Sequence, residues 1–244
     1  MLRSAISMMS PETVVLVAGG TGGLGRAVSL AFLRQGAQVV TTYRLESEFE
    51  ELKNLAGDRA TRLTGYRVDV TNEDAVQQLI ESVLVQKSRL DVLVNTVGAF
   101  AGGQKMWETE TRIFDQMLIL NVRPGFLLAR AASRAMLVKG KGSIVNVAAK
   151  AALDHPAGLS AYAASKAAAL AMMDSLAADL KGSGVRVNSI LPSIIDTEPN
   201  RRAMPGADFA KWPKPEDIAK VILFLCSEEA KVIHGAAIPV YGMT

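Results

Sequence analysis

A glycine-rich turn that directly follows a short apolar run constrains the fold of this chain more than any other feature. The run Thr13–Val17 (TVVLV) is almost wholly apolar, as expected for a strand that is buried on both faces of a parallel sheet. Five of the 20 glycines of the chain fall within the next eight residues, and Leu24–Arg34 then has helical apolar spacing. Strand, glycine turn and helix in this order predict the start of a βαβ unit.

The spacing of the glycines indicates what this turn binds. Gly19, Gly23 and Gly25 form the pattern G-x-x-x-G-x-G. Glycine lets the backbone turn sharply and leaves no side chain where phosphates approach, and the N–H groups of the following helix point at an anion. We therefore predict a dinucleotide-binding turn, with a purely structural turn as the alternative. The predicted contacts are Gly19, Thr21, Gly22, Gly23, Leu24 and Gly25.

Strand-like and helical runs alternate along the rest of the chain. The further predicted strands are Gln38–Thr42, Tyr66–Val68, Asp91–Asn95, Ser143–Val147, Val185–Leu191 and Ala236–Val240. The further predicted helices are Ala75–Gln86, Thr111–Val138 with a break near Pro124, Ser160–Lys181 and Glu216–Ser227. This alternation predicts an α/β fold, a doubly wound (Rossmann) parallel sheet of about seven strands with helices on both faces. We expect a disordered lead over residues 1–10 and a single domain over residues 11–244.

Composition argues against several classes of partner. The net charge is only +3, no run of five like charges occurs, and aromatic residues make up 5% of the chain, so we expect no nucleic-acid binding. No apolar run is long enough to cross a bilayer. Cys226 is the only cysteine, which fits a reducing compartment, and we expect a cytoplasmic protein. The chain has only two histidines, His155 and His234, which lie far apart in the sequence, so with the single cysteine they form no metal-ligand pattern and we predict no metal site. We expect His234 to be structural.

A tyrosine and a lysine form the clearest catalytic pair. Tyr162 and Lys166 are separated as Y-x-x-x-K on a predicted helix, so that their side chains share one face. A nearby ammonium favours the phenolate, and we therefore expect the pKa of Tyr162 to lie below the usual value of about 10. Such a phenol can donate and accept a proton near neutral pH.

Together, the glycine turn and the Y-x-x-x-K motif after the fifth strand resemble the short-chain dehydrogenase/reductase family, and the resemblance covers nearly the whole chain. One departure is Ala18, where the family usually has Thr. The resemblance implies hydride transfer between a nicotinamide cofactor and a small-molecule substrate, with Tyr162 and Lys166 as catalytic pair. It also implies that Asn121 helps to hold a proton-relay water, and that the helices at 111–138 and 160–181 form a homodimer or homotetramer.

The family pattern also assigns cofactor contacts elsewhere in the chain. Tyr43 stands where relatives that prefer NAD usually carry Asp, and Arg44 follows it. Because a guanidinium can pair with a 2′-phosphate, we predict NADP as the cofactor, with NAD less favoured. The remaining contacts implied by the resemblance are Asp69, Val70, Asn95, Gly98, Tyr162, Lys166, Pro192, Ile194 and Thr197.

One catalytic residue of the family is missing. The family places a Ser thirteen residues before the Tyr to hydrogen-bond the substrate oxygen, and this chain has Ala149 there, next to Ala148. Loss of one such donor typically costs about 10²–10³ in turnover. An ordinary ketone would then be a poor substrate, or another group supplies the donor, or the protein is a cofactor-binding but catalytically silent sensor or partner subunit.

A narrower resemblance bears on this gap. Residues 98–103 and 148–154, together with positions 196–197, 200–201, 204–205, 207–209 and 212, resemble dihydropteridine reductase, which also has Ala in place of the Ser and reduces quinonoid dihydropterin. That enzyme prefers NADH and has no obvious counterpart of Asn121. We therefore predict an NADP(H)-dependent reductase of a conjugated C=N or C=O substrate, with quinonoid dihydropterin as one candidate. The candidate pocket-wall residues are Phe100, Trp107, His155, Met204 and Phe209.

Overall fold

A single parallel sheet of seven strands organises the protein, whose computed structural model describes residues 9–244. The strands are β1 Val14–Ala18, β2 Gln38–Tyr43, β3 Leu63–Arg67, β4 Val92–Asn95, β5 Gly142–Val147, β6 Val185–Pro192 and β7 Ala237–Val240. The helices are α1 Gly23–Arg34, α2 Glu46–Ala56, α3 Glu73–Lys87, α4 Thr111–Asn121, α5 Arg123–Lys139, α6 Ala151–Asp154, α7 Ser160–Asp179, α8 Glu198–Ala203 and α9 Pro215–Cys226. The predicted doubly wound Rossmann sheet is confirmed. Within residues 9–244, no helix combines the length and apolarity needed to cross a bilayer.

The strand order creates a crevice in the middle of the sheet. The order is β3-β2-β1-β4-β5-β6-β7, so the chain winds outward in one direction from β1 and in the other from β4. In open parallel sheets, ligands bind beyond the carboxyl ends of the strands at such a switch point. The fold therefore directs a ligand to the end of β1, where the glycine turn lies.

Helices cover both faces of the sheet, which explains why β1 and residues 92–94 of β4 are apolar at every position. Leu16 and Leu93 pack with residues of α3, α5 and α7, whereas their neighbours Val15 and Val94 pack with residues of α1 and α9. Successive side chains of a strand point to opposite faces, so both sets are buried.

Several element boundaries differ from those predicted. β3 covers Leu63–Arg67 rather than Tyr66–Val68, because it is an edge strand with no fully buried residue to mark it. The side chain of Asn72 caps α3, with Ala75 N–H donating to Asn72 Oδ1 over 2.9 Å. The long helix predicted over 111–138 consists of two helices, α4 and α5, that meet at Val122. This junction lies two residues before Pro124, where the sequence predicted a break.

Three helices were not predicted. α2 has only three buried side chains in a largely acidic sequence, so its apolar pattern is weak. α6 and α8 are short segments of four and six residues. The expected lead lies outside the described residues except for Met9 and Ser10, and Met9 packs against the core that contains α1 and α9.

Candidate active site

The glycine turn has a backbone that only glycine permits. Gly19 has a φ of +74° and donates its N–H to Thr42 Oγ1 over 2.9 Å. A Cβ on Gly25 would overlap the Gly19 carbonyl. Gly22 forms the N-cap of α1 with no side-chain capping bond, so the helix N–H groups stay open to an anion. The turn therefore forms a cradle that suits a pyrophosphate.

Thr197 lies across this cradle, as the family pattern implies. A Cβ on Gly23 would come within 2.9 Å of Thr197 Cγ2, so this glycine lets the two segments approach. Thr197 is the N-cap residue of α8, just beyond β6. Pro192 ends β6 and accepts the Lys150 N–H over 2.8 Å, and Ile194 is 39% exposed in the connecting segment. These positions line one side of the crevice.

The ends of β2 and β3 form the other side. Arg44 is exposed directly after β2, where Tyr43 stacks on Phe49 with ring centroids 4.8 Å apart. The carboxylate of Asp69 accepts hydrogen bonds from the Thr71 hydroxyl and N–H, which lower its pKa, and Arg44 lowers it further. The structure thus brings Arg44 and Asp69 together, while Val70 lies buried below them.

Sequence reasoning missed one acidic residue in this region. Glu48, in the first turn of α2, accepts a hydrogen bond of 3.0 Å from the Thr21 hydroxyl in the glycine turn. Tyr43 likewise donates to Glu46 over 2.6 Å, which raises the pKa of Tyr43. The buried Phe49 and Leu52 at helical spacing would have indicated α2 and hence the position of Glu48.

Asn95 and Gly98 shape the segment after β4. Asn95 is buried and donates from Nδ2 to Asn146 Oδ1 over 2.9 Å, which ties β4 to β5. Gly98 passes so close to two side chains that a Cβ there would lie 2.9 Å from both Lys166 Nζ and Asn121 Oδ1. The close approach explains why this position holds a glycine.

Lys166 and Asn121 meet beneath this segment. Lys166 is 5% exposed, and its Nζ donates to the Val147 carbonyl over 3.2 Å. The Asn121 amide donates to Ser165 Oγ over 2.9 Å and to the Ala99 carbonyl over 3.0 Å, and it accepts the Ala99 N–H over 2.8 Å. The end of α4, the start of α7 and the segment after β4 are thereby held together.

Tyr162 lies one helical turn before Lys166, but its pKa is not lowered as expected. Burial raises the pKa of Tyr162 to about 12, because the phenolate would lose its hydration. Lys166 is buried as well, and burial lowers its pKa to about 8. Burial is the cause of both shifts, so the pKa of Tyr162 moves in the direction opposite to the one expected from the motif.

Ala149 packs beside Tyr162. Ala149, Ala151 and Ala163 form one small buried cluster with the Tyr162 side chain, whereas Ala148 belongs to a different cluster on the other side of the segment. The methyl group of Ala149 therefore occupies the place where the family resemblance expects a hydroxyl.

The candidate pocket-wall residues are spread around this site. Phe100 packs edge-on against Tyr162, with ring centroids 5.0 Å apart, whereas Trp107 is 78% exposed and does not share this contact. Phe209 lies under the Arg201 guanidinium, 5.0 Å from its ring centroid. Met204 is half-buried, and His155 is exposed at the end of α6 with a φ of +46°.

His234 lies elsewhere and is structural, as predicted. Its Nδ1 accepts the Val187 N–H over 3.2 Å, and its Nε2 lies 2.7 Å from the Ala177 carbonyl, so the ring ties β6 to α7. In the part of the chain from residue 9 onwards, no group of three or more His, Cys, Asp or Glu side chains is arranged to hold a metal ion.

An open parallel sheet with a glycine cradle at its switch point and a Tyr–Lys pair beside it defines a nicotinamide-dependent oxidoreductase. The family model described as short chain dehydrogenase matches residues 13–207, and the chain belongs to this family. It is therefore an oxidoreductase of the short-chain dehydrogenase/reductase type, a family that binds a nicotinamide cofactor and acts on small molecules.

Relatives match over nearly the full length. The chain is 30% identical to the 3-oxoacyl-(acyl-carrier-protein) reductase FabG of Thermotoga maritima, covering 94% of this chain and 96% of the relative. It is 33% identical to D-threitol dehydrogenase of Mycolicibacterium smegmatis, covering 94% of this chain and 91% of the relative. Among solved structures, ElxO with NADP bound superposes with a TM-score of 0.89 at 26% identity, covering 94% of this chain and 97% of that one. An NAD⁺-bound xylitol dehydrogenase superposes with a TM-score of 0.88 at 25% sequence identity, covering 95% of this chain and 98% of that one.

Proposed function

We propose that the protein is an NADP(H)-dependent reductase in which hydride passes to a conjugated C=N or C=O substrate and Tyr162 supplies the proton. The observation that carries the proposal is the buried methyl group of Ala149 beside the Tyr162 ring. This site has a proton donor but lacks the second donor that a localised oxyanion requires. A conjugated substrate spreads the incoming charge over its ring system and therefore needs less stabilisation at one atom.

The residues present fit a nicotinamide cofactor, because the turn at Gly19 and Gly25 leaves a cradle that a Cβ would fill. When bound, the cofactor supplies the hydride. With a pKa of about 12, Tyr162 stays protonated at neutral pH and can donate its proton to the oxygen or nitrogen of the substrate while the hydride goes to carbon. Lys166, with a pKa of about 8, is then mostly an ammonium ion and favours the phenolate that this transfer leaves.

Asn121 would hold a bound water through which a proton returns to Tyr162. Its side-chain amide already bonds to Ala99 and Ser165, so its backbone carbonyl is the group left for that water. Asn121 is the last residue of α4, and the final carbonyls of a helix have no intrahelical partner. Asn121 would thus act as a positioning residue that orients this water through its backbone carbonyl.

Arg44 supports the choice of NADP. It is an exposed guanidinium at the end of β2, with Tyr43 in place of the Asp that would repel a 2′-phosphate. ElxO, a structural neighbour, is recorded with NADP bound.

One observation favours NAD as a second candidate. Glu48 brings a carboxylate within 3.0 Å of the Thr21 hydroxyl, close to the cradle, and a negative charge there disfavours a further phosphate. Another structural neighbour, xylitol dehydrogenase, is recorded with NAD⁺.

Titration of both cofactors separates these candidates. We expect tighter binding of NADPH than of NADH, a loss of about tenfold or more in NADPH affinity in Arg44→Ala, and little change for NADH. Glu48→Gln is the matched variant and should strengthen NADPH binding without weakening NADH. Equal or tighter NADH binding in the wild type, or an Arg44→Ala variant that binds NADPH normally, would contradict the assignment.

The assembly is also part of the proposal. Phe114 and Ile119 on α4 and Phe126 on α5 are large apolar side chains that are 41–49% exposed, which supports a homodimer or homotetramer through these helices. Sedimentation of the purified protein tests it, and a monomer at micromolar concentration would exclude it. The single Cys226 motivates the proposal of a cytoplasmic location.

The alternative function is a cofactor-binding but silent sensor or partner subunit, which Ala149 suggests. The presence of the Tyr162–Lys166 pair, with Lys166 and Asn121 both close to Gly98, argues against a silent protein. NADPH oxidation measured with a quinonoid dihydropterin, a quinone, a cyclic imine and a simple ketone decides between them. Tight NADPH binding with no turnover of any acceptor would support the silent protein.

A further inference from the structure

A cavity of about 200 Å³ lies between the segment that follows β4 and the start of α7, the helix that carries Tyr162. It is lined by Ala101, Gly102, Gln104, Thr109, Ile113, Gly158, Leu159, Ser160 and Ala161. None of these side chains is charged, and both apolar and hydroxyl or amide groups are present. The Gly103 N–H donates to the Gly158 carbonyl over 3.0 Å and holds the two sides of the cavity together.

The ring of Phe100 contacts both the catalytic tyrosine and the segment that lines this cavity. It packs edge-on against Tyr162, with centroids 5.0 Å apart and planes at 69°. The same ring also lies against the cavity wall, since a Cβ on Gly102 would lie 3.0 Å from Phe100 Cζ. Neither Phe100 nor Tyr162 lines the cavity itself.

We infer that Phe100 sets the size limit of the substrate, because its ring lies against both Tyr162 and the wall of a neutral cavity that would otherwise accept a longer uncharged substituent. The inference rests on the proposed reductase function. It adds a specificity-determining residue and a substrate class, namely compact conjugated molecules without a long side chain next to the reacting group.

Phe100 is well suited to a test by mutation. Its side chain is 67% exposed, so truncation removes little buried surface and should leave the protein folded. In Phe100→Ala the catalytic site and the cavity would join. Burial of even one or two additional methylenes is worth about tenfold or more in discrimination between substrates.

The experiment uses four acceptors, a short and a long neutral alkyl derivative of a quinone and of a simple ketone. For each, kcat/KM is measured with NADPH, and the dissociation constant is measured in the presence of the cofactor by tryptophan fluorescence. The long-to-short ratio within each class tests the role of Phe100. The quinone-to-ketone ratio tests the proposed function, so the role of Phe100 and the proposed function can fail separately. If no acceptor is turned over, the dissociation constants still give the long-to-short ratio.

We expect Phe100→Ala to raise the long-to-short ratio by about tenfold or more, and Phe100→Tyr to leave it unchanged. Adding Ile113→Phe to Phe100→Ala refills the cavity and should remove the gain. Trp107→Ala is the matched control, because Trp107 is another exposed aromatic residue of the segment after β4, and its ring contacts Lys105 Nζ rather than Tyr162. A Phe100→Ala variant that changes short and long acceptors equally, or a Trp107→Ala variant with the same gain, would overturn the inference.

Discussion

Replacement of Ala149 by Ser tests the explanation of the missing hydroxyl. Ala149 is 7% exposed and packs with Ala151, Ala163 and Tyr162, so a serine hydroxyl would lie beside the catalytic phenol. It would become a second donor for the oxygen of a ketone that Tyr162 protonates. In the proposed wild-type reaction, the ring of a conjugated substrate packs against the methyl group instead.

The expected effects on the two substrate classes are opposite. A preorganised donor to a developing oxyanion contributes about 2.7–4 kcal/mol, which corresponds to about 10²–10³ in turnover of a simple ketone. With a conjugated ring over the site the hydroxyl stays unpaired, which costs about 1–3 kcal/mol. The ratio of ketone to conjugated activity should therefore rise by at least about two orders of magnitude.

The assay is kcat/KM for a simple ketone and a quinone, with NADPH, in the wild type and Ala149→Ser. Ala148→Ser is the matched control, because Ala148 is equally buried but packs against Leu170 and Leu191, away from Tyr162. It should lower the free energy of unfolding by about 1–3 kcal/mol and leave the activity ratio unchanged. If wild type already reduces simple ketones efficiently and Ala149→Ser brings no gain, another group donates to the oxygen and the reasoning fails.

Three further predictions follow from the same site. Tyr162→Phe should abolish turnover because the proton donor is lost, while the cofactor dissociation constant, measured by fluorescence, should stay within about twofold of the wild-type value. Substantial residual activity would place the donor elsewhere. Because the pKa of Lys166 is lowered to about 8, its charge is present below that pH, and the kcat of reduction should fall as the pH rises past about 8. In any active Lys166→Arg variant this fall should disappear, and an unchanged profile would assign it to another group. Gly25→Ala should lower the free energy of unfolding, measured by thermal or urea denaturation, by about 1–3 kcal/mol and weaken cofactor binding, since its Cβ would overlap the Gly19 carbonyl. Normal stability and cofactor affinity in this variant would contradict the prediction.

The features that sequence reasoning captured are those with a local physical signature. β1, the glycine turn and α1 follow from an apolar run, five glycines and helical spacing within one short stretch. The Tyr162–Lys166 spacing places both side chains on one face of α7 regardless of tertiary detail. The break between α4 and α5 follows from Pro124, which cannot donate a helix hydrogen bond.

The features that it missed depend on tertiary contacts. The carboxylate of Glu48 reaches Thr21 only because α2 packs beside α1, and the acidic sequence of α2 hides its three buried residues. The direction of the Tyr162 pKa depends on how deeply the ring is buried, which a motif does not show. The contact of Phe100 with both Tyr162 and the wall of the cavity joins segments that are distant in the sequence.

The most direct test of the central claim is NADPH oxidation by wild type and Tyr162→Phe with matched conjugated and simple carbonyl acceptors, including quinonoid dihydropterin. We expect the wild type to favour conjugated acceptors by at least about tenfold in kcat/KM, and Tyr162→Phe to be inactive with all of them. A wild type that prefers simple ketones, or a Tyr162→Phe variant that retains most of its activity, would contradict the account.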